Sequence, residues 1–458
     1  MIGRSSTAIE IAAAVRSGAV SAVDVTQAAL SRIGADDPKL GAFTAVTADR
    51  ALTEAAKVDA VVAGGGEPGP LAGVPFAVKN LFDIEGLPTL AGSKINADHP
   101  PASHDAVLIQ RLIQAGAVLV GALNMGEYAY DFTGENCHYG PSRNPHDISR
   151  MSGGSSGGSG TAAAAGLVPL TLGSDTNGSI RVPSSFCGLF GLKPTFGRLS
   201  REGTFPFCYS LDHLGPLARS VADLAAAYDA MLDPGRDAAP TTPTLGHGSE
   251  GLRIAVAGDY FAKGALPEAF EAVATVATAL GAKESVNIPE AARARAAAYV
   301  ITTAEGGNLH LERLRTRAAD FDPATRDRLL AGAMVPSSWY LQAQRFRRWY
   351  HDRVMELFNT VDIILAPATP CTAPPIGQQT MVLDGVELLV RPNIGIFTQP
   401  LSLIGLPIVA VPVQRPGGLP IGVQVIAAPG REDLALRVAA ELESSGICAA
   451  PVPNGGNP

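Results

Sequence analysis

Apolar positions recur along this chain with two periods, one helical and one strand-like, and glycine or proline marks most of the changes between them. Thr7 and Glu10 have the spacing of a capping box, apolar residues follow, and Gly18 offers a stop, so the chain opens on a helix. Ser21 and Asp24 repeat the device. The second helix is predicted to run to about Ile33, with Val25, Ala28, Ala29 and Ile33 on one face. Residues 42–63 read as a third helix, which the run GGGEPGP ends ahead of an apolar, strand-like stretch, GVPFAVKN.

Downstream, DAVLIQRLIQAG followed by AVLVGALN reads as a helix and a buried strand, a repeating unit of α/β proteins. Ser220 and Asp223 cap VADLAAAYDAML, and GLRIAVAGD restarts the sheet. Helices are predicted over 267–280, 289–317 and 337–359. DIILAP, PIVAVPV and GVQVIA read as strands, and REDLALRVAAELESSG as a closing amphipathic helix. The basic and aromatic run QRFRRWYHDR reads as a solvated helix face.

Composition narrows the class. With 46% hydrophobic and 17% charged residues the chain can bury a large core, and a net charge of -8 argues against nucleic acid as a partner. Cys137, Cys187, Cys208, Cys371 and Cys448 are scattered, odd in number and free of CxxC spacing, which speaks against a disulfide framework or a zinc site. The histidines show no metal-ligand spacing either, so neither metal nor cofactor is expected. No apolar run reaches the roughly 18 residues of a membrane span, and the first residues lack a lysine-flanked apolar core with a cleavage motif. A cytoplasmic protein is the expectation.

The candidate chemistry lies in MSGGSSGGSGTAAAAGLVPLTLGSDTNGSIRVPSSFCGLFGLKPT, which starts at Met151. So much Gly and Ser would suit a linker, but the apolar run between the two clusters must be buried. The clusters are therefore tight turns that aim backbone N–H groups and short hydroxyls at one point, as an oxyanion requires. A Walker-type phosphate loop would need Gly-Lys-Ser/Thr, and no lysine follows GGSSGGSG. Acyl transfer fits better. Ser179 follows Asp175, Thr176, Asn177 and Gly178, whose successive N–H groups could converge on an oxyanion. Lys79 sits in an apolar strand where desolvation favours the neutral amine, the form that serves as a base.

GGSSGGS, GSDTNGSIRVPSSFCGLFGLKPT and the lysine in VPFAVKN together resemble the amidase signature family. The resemblance implies that Ser179 is the nucleophile, Ser155 the bridging serine and Lys79 the base. It places the oxyanion hole on the N–H groups of Thr176, Asn177, Gly178 and Ser179 and predicts a cis peptide between Gly154 and Ser155. It also implies a single large α/β domain with a mixed central sheet covered by helices on both faces. On that basis residues 1–65 form a helical segment packed on a signature domain over 66–448, and the tail 449–458 is expected to be disordered.

The family usually has Gly-Gly-Ser at the nucleophile, where this chain has Asn177-Gly178-Ser179. Asn tolerates left-handed backbone, so it can stand in for glycine; alternatively its carboxamide binds a polar substrate. The loop MGEYAYDFTGENCHYGPSRNPHD leads into the serine cluster, which makes Tyr128 and Ala129 candidates for pocket walls. Arg181 could bind a substrate carboxylate or pair with Asp175, and NIGIFTQPLSLIGLP returns to the site by the resemblance, which makes Gln399 a candidate contact. His138 and His146 flank the serines, but two loop histidines do not establish a Ser-His pair.

Within the family, LFDIEGLPTLAGSKIN, NPHD and the signature itself look most like 1-carboxybiuret hydrolases, which act on small ureido acids. That likeness implies a small accessory subunit similar to the C subunit of tRNA-dependent amidotransferases; a homodimer is a further expectation. The expected reaction is hydrolysis of a C–N bond in a small amide, ureido or carbamate substrate through an acyl-enzyme. The alternatives are a broad aryl-acylamidase or urethanase, the glutamine-hydrolysing subunit of an amidotransferase, and, from another class, a non-catalytic binding protein.

Overall fold

The computed structural model describes residues 2–235 and 239–453. At its centre lies an 11-stranded mixed sheet. Across the sheet the strands run Phe43–Val46, Val118–Leu123, Pro75–Lys79, Leu170–Asp175, His213–Ala218, Phe190–Lys193, Ile408–Val413, Ile421–Ala427, Ile363–Pro367, Ile254–Ala257 and Glu284–Val286. The 75–79 strand is parallel to both its neighbours, 118–123 and 170–175. From 170–175 to 363–367 the pairings are antiparallel, and the far edge is parallel again.

Every residue of 118–123, 170–175, 213–218 and 408–413 is buried. Side chains alternate across a strand, so burial of consecutive residues means that both faces of the sheet are covered. The chain is thus a single large α/β domain with one extensive hydrophobic core.

The start of the chain folds as its caps dictate. Thr7 and Glu10 close a complete capping box on Ala8–Arg16, and Ser21 caps Ala22–Leu40. That second helix passes the expected end at Ile33 and stops at Gly41, whose φ of 65° ends it. Residues 42–63 are not one helix. Phe43–Val46 pairs antiparallel with the 118–123 strand, and the helix begins only at Ala48. Cross-strand pairing here overrides the local preference.

The helix expected over 289–317 breaks at His310 into Ala291–Leu309 and Leu311–Thr316. A helix absent from the sequence reading, Pro323–Ala333, follows it, with Asp322 accepting from the Ala324 N–H at 2.9 Å. Thr380–Leu383 and Val386–Leu389 form a separate hairpin, for which the sequence reading makes no assignment. In the tail, the Ala449 carbonyl accepts from Gln414 Nε2 at 2.7 Å; residues 454–458 lie outside the described residues.

The parallel pairing of 75–79 with 170–175 decides where the chemistry sits. Lys79 closes one strand, and Ser174 and Asp175 close its neighbour, so all three emerge at the same carboxyl edge. In α/β sheets that edge is where ligands bind.

Candidate active site

Lys79 is fully buried, and its Nζ lies 2.6 Å from Ser155 Oγ, 2.8 Å from Ser174 Oγ and 3.0 Å from Ser156 Oγ. The Ser156 hydroxyl spends its proton on the Ser174 carbonyl at 3.2 Å, so its oxygen can only accept from Lys79. A neutral amine then has one N–H and one lone pair left for Ser174 and Ser155. Burial lowers the Lys79 pKa to about 7, against the opposing pull of Asp175, Asp212 and Asp131. The amine is thus available as a base near neutral pH.

The Gly154–Ser155 peptide is cis, as the sequence reading expects. Backbone bonds fix Ser155 from both sides: the Gly126 N–H donates to the Ser155 carbonyl at 3.1 Å, and the Gly154 N–H to the Phe132 carbonyl at 2.9 Å. The Asp131 carboxylate accepts from the Thr133 and Gly134 N–H groups at 3.0 and 2.7 Å, which shapes the loop opposite the serines. Arg391 pairs with that carboxylate from outside.

Ser179 ends the turn after Asp175 and lines a cavity together with Thr176 and Asn177. The Asp175 carboxylate accepts from the Ile180 N–H at 3.2 Å, folding the chain back into the helix Arg181–Cys187. Among the described residues, no internal acceptor takes the N–H of Thr176, Asn177, Gly178 or Ser179, so all four remain free for an oxyanion. Gly178 has φ 142°, and a Cβ there would stand 2.3 Å from Thr398 Oγ1. That hydroxyl donates to the Asn177 carbonyl at 2.6 Å, which locks the turn from across the molecule.

The Asn177 carboxamide also reaches the cavity. Its Nδ2 donates to Thr302 Oγ1 at 2.9 Å, and its Oδ1 is buried with no partner among the described residues. An orphaned buried acceptor is costly, which makes this carbonyl a natural place for a ligand N–H.

Of the four expected substrate contacts, Ala129 and Gln399 wall the cavity with Ser179 and two do not. Tyr128 is corrected: its ring packs in the core, tilted against the His310 ring with centroids 4.0 Å apart, and its hydroxyl donates to Asn96 at 3.0 Å. Tyr128 and Ala129 have φ of 50° and 60°, and this double left-handed turn brings Tyr130 to the cavity instead. Arg181 is corrected too. It is fully buried, and its fork meets Asp175 through Nε–Oδ2 and Nη2–Oδ1, both at 2.9 Å. Its Nη1 donates to Gln424 Oε1 at 2.7 Å, so the guanidinium is used up in holding the turn.

The histidines are engaged elsewhere. His138 Nε2 meets Glu127 Oε1 at 3.0 Å, and His146 Nε2 meets the Cys187 carbonyl at 3.1 Å. All five cysteines are free thiols. Among the described residues no His, Cys, Asp or Glu cluster could hold a metal, and no helix is long and apolar enough to cross a membrane.

The sequence reading missed the opposite wall. Tyr299 and Thr302 project from Ala291–Leu309, and Arg328 from Pro323–Ala333. These two helices touch through glycine: a Cβ at Gly332 would lie 1.9 Å from the Thr303 carbonyl, and one at Gly307 2.3 Å from the Ala333 nitrogen. Close approach sets Arg328 3.8 Å above the Tyr130 ring, with Nε donating to the Ala324 carbonyl at 2.8 Å and Nη2 to that of Tyr130. Among the described residues, no carboxylate forms an ion pair with it.

The amidase family model matches residues 24–436. The chain is 57% identical to AtzE of Pseudomonas sp. (strain ADP), a 1-carboxybiuret hydrolase subunit, over 96% of this chain and 98% of that one. It is 38% identical to a subunit of the Glutamyl-tRNA(Gln) amidotransferase of Chloroflexus aurantiacus, over 93% of both. Among solved structures it superposes with a TM-score of 0.95, at 55% identity over 97% of this chain and 100% of the other, on a vestigial protein complex that bears on the origins of an s-triazine catabolic enzyme. A bacterial aryl acylamidase of the amidase signature family matches with a TM-score of 0.89 at 26% identity, over 99% of each chain. A buried lysine hydrogen-bonded to three serines, free turn amides and a family match over most of its length lead to one conclusion: the chain belongs to the amidase family and is an amide-hydrolysing enzyme.

Proposed function

We propose that the chain hydrolyses a small ureido acid of the 1-carboxybiuret type through an acyl-enzyme on Ser179. The observation that carries the substrate class is Arg328, a guanidinium without a carboxylate partner among the described residues, in the wall of the same cavity as Ser179. Guanidinium is the natural partner of a carboxylate. The Asn177 Oδ1, without a partner, suits a ureido N–H alongside it. The likeness to a 1-carboxybiuret hydrolase supports the same reading.

In this reading Ser155 takes the Ser179 proton as Ser179 attacks the carbonyl, and passes its own to neutral Lys79. The oxyanion is received by the turn amides of Thr176 to Ser179. Collapse breaks the C–N bond as Ser155 protonates the leaving nitrogen from Lys79. Water then enters by the same relay in reverse and frees the acid from Ser179.

Tyr130, Phe132 and Phe207 on the cavity wall favour a second reading, an aryl acylamidase or urethanase. Initial rates on N-carbamoylglycine, acetanilide and an aryl carbamate, each against Ser179→Ala, separate the two. Preference for the ureido acid is expected; preference for the aryl substrates would overturn the first reading.

A small accessory subunit of the amidotransferase C type belongs to the same proposal. The match to a chain solved within a protein complex supports it, as do the apolar side chains Met334, Trp339 and Leu341, each exposed, at 81%, 59% and 56%. Light scattering of the purified chain reports whether it is a monomer, a homodimer or bound to such a subunit.

A further inference from the structure

Arg295 is not part of the cavity wall, yet it controls a residue that is. It shares a face of Ala291–Leu309 with Tyr299 and Thr302, at the i, i+4, i+7 spacing that lines up side chains on a helix. Its Nε donates to Gln399 Oε1 at 2.9 Å, and its Nη2 donates to the Pro392 carbonyl at 2.9 Å and to Asn393 Oδ1 at 2.8 Å. Three acceptors on one segment hold the guanidinium in place.

The chemistry of the pair fixes which way Gln399 faces. A guanidinium only donates, so the end of the carboxamide that meets Arg295 must be the oxygen. The two N–H donors of Gln399 then point away from Arg295, and no acceptor takes them among the described residues. Gln399 stands in the wall with Ser179, and it is positioned there by the short helix Gln399–Ser402, next to the Thr398 hydroxyl that locks the oxyanion turn.

We propose that Arg295 is a positioning residue for substrate selection: by holding Gln399 Oε1 it presents the Gln399 N–H donors to the cavity, which then favours substrates with an acceptor oxygen at that end. Gln399 and Arg328 then both offer donors to a cavity that Asn177 Oδ1 lines as an acceptor without a partner among the described residues. The inference rests on the ureido-acid reading for the identity of the acceptor, since a carboxylate or terminal carbonyl oxygen would meet those donors.

A double-mutant cycle tests it. KM for N-carbamoylglycine, or its Ki as a competitor if another substrate is hydrolysed faster, is measured for Arg295→Met, Gln399→Met and the double variant. Each single change is expected to raise that constant about tenfold with kcat within about twofold, and the double variant to be no worse than Gln399→Met alone. Additive effects, or a loss of kcat with the constant unchanged, would overturn the positioning role. So would a failure of N-carbamoylglycine to bind the native enzyme.

Arg295→Lys and Arg295→Glu give a second readout should the methionine variant not fold. Lysine still only donates and should keep affinity near native, whereas glutamate accepts and turns the carboxamide around, raising the constant. Equal behaviour of the two would sink the proposal. The ranking of substrates by the native enzyme reports on the ureido reading and the cycle on Arg295, so the two can fail separately.

Discussion

Lys79 and Ser155 meet at 2.6 Å inside the protein, 76 positions apart in sequence, with the lysine sealed from solvent. This contact brings the proposed base to the proposed relay, and the burial around the amine sets the pH at which it would work.

Because burial lowers the Lys79 pKa to about 7, kcat/KM should fall as pH drops through about 7 and level off above it. The cation formed at low pH cannot take a proton. The same shift acts on stability. The unfolded lysine, near 10.5, binds more protons than the folded one between about 7 and that value, so this contribution rises with pH across the window. Denaturation of native protein and Lys79→Met at pH 7 and pH 10 should show the gap between them change in favour of the native chain.

Lys79 and Ser155 act as one unit in the proposed relay, so their losses should not add. Lys79→Ala and Ser155→Ala are each expected to lower acylation by about 10² to 10⁴, with the double variant close to the worse single one. Rates of fluorophosphonate labelling at Ser179 measure this, and additive losses would separate the two residues.

Gly178→Ala tests the oxyanion turn. A methyl at φ 142° and 2.3 Å from Thr398 Oγ1 displaces the hydroxyl that anchors the Asn177 carbonyl. Loss of the turn amides should lower kcat by about 10² to 10³ with smaller change in KM. A native kcat would place the oxyanion elsewhere.

Arg181→Met should cost stability rather than substrate affinity. Burial pushes the Asp175 carboxyl up, but the Arg181 guanidinium outweighs it and holds the group well below the usual carboxylate range. Removing the arginine leaves a buried carboxylate unpaired, a loss of about 3–5 kcal/mol in unfolding free energy. Equilibrium urea denaturation reads it; an unaltered midpoint with a raised KM would return Arg181 to the substrate.

Where a local pattern decides the structure, the sequence was readable. Thr7 with Glu10 and Ser21 with Asp24 cap helices because a cap is made by neighbours a few residues apart. Lys79, Ser155 and Ser179 stood out because apolar and glycine-rich surroundings are unusual for them. Direction was harder. Tyr128 and Arg181 lie beside the site in sequence, but a left-handed turn faces one into the core and Asp175 captures the other. Arg328, Thr302 and Arg295 were not legible, since they reach the site through helix packing. The one local cue nearby was Asp322-Pro323, a cap and a first-turn proline, and Pro323–Ala333 has too little apolar periodicity to complete it.

The glycine contact between Ala291–Leu309 and Pro323–Ala333 has a consequence for how such an enzyme can diversify. In the proposed reading the bond-breaking parts come from one stretch of chain, between Lys79 and Ser179, and Arg295, Thr302, Arg328 and Gln399 add choosing parts from another, alongside Asn177. Exchanging side chains on the two glycine-joined helices would retune what enters the cavity while the proton path stays intact. On this reading much of the selection can change without touching the reactivity.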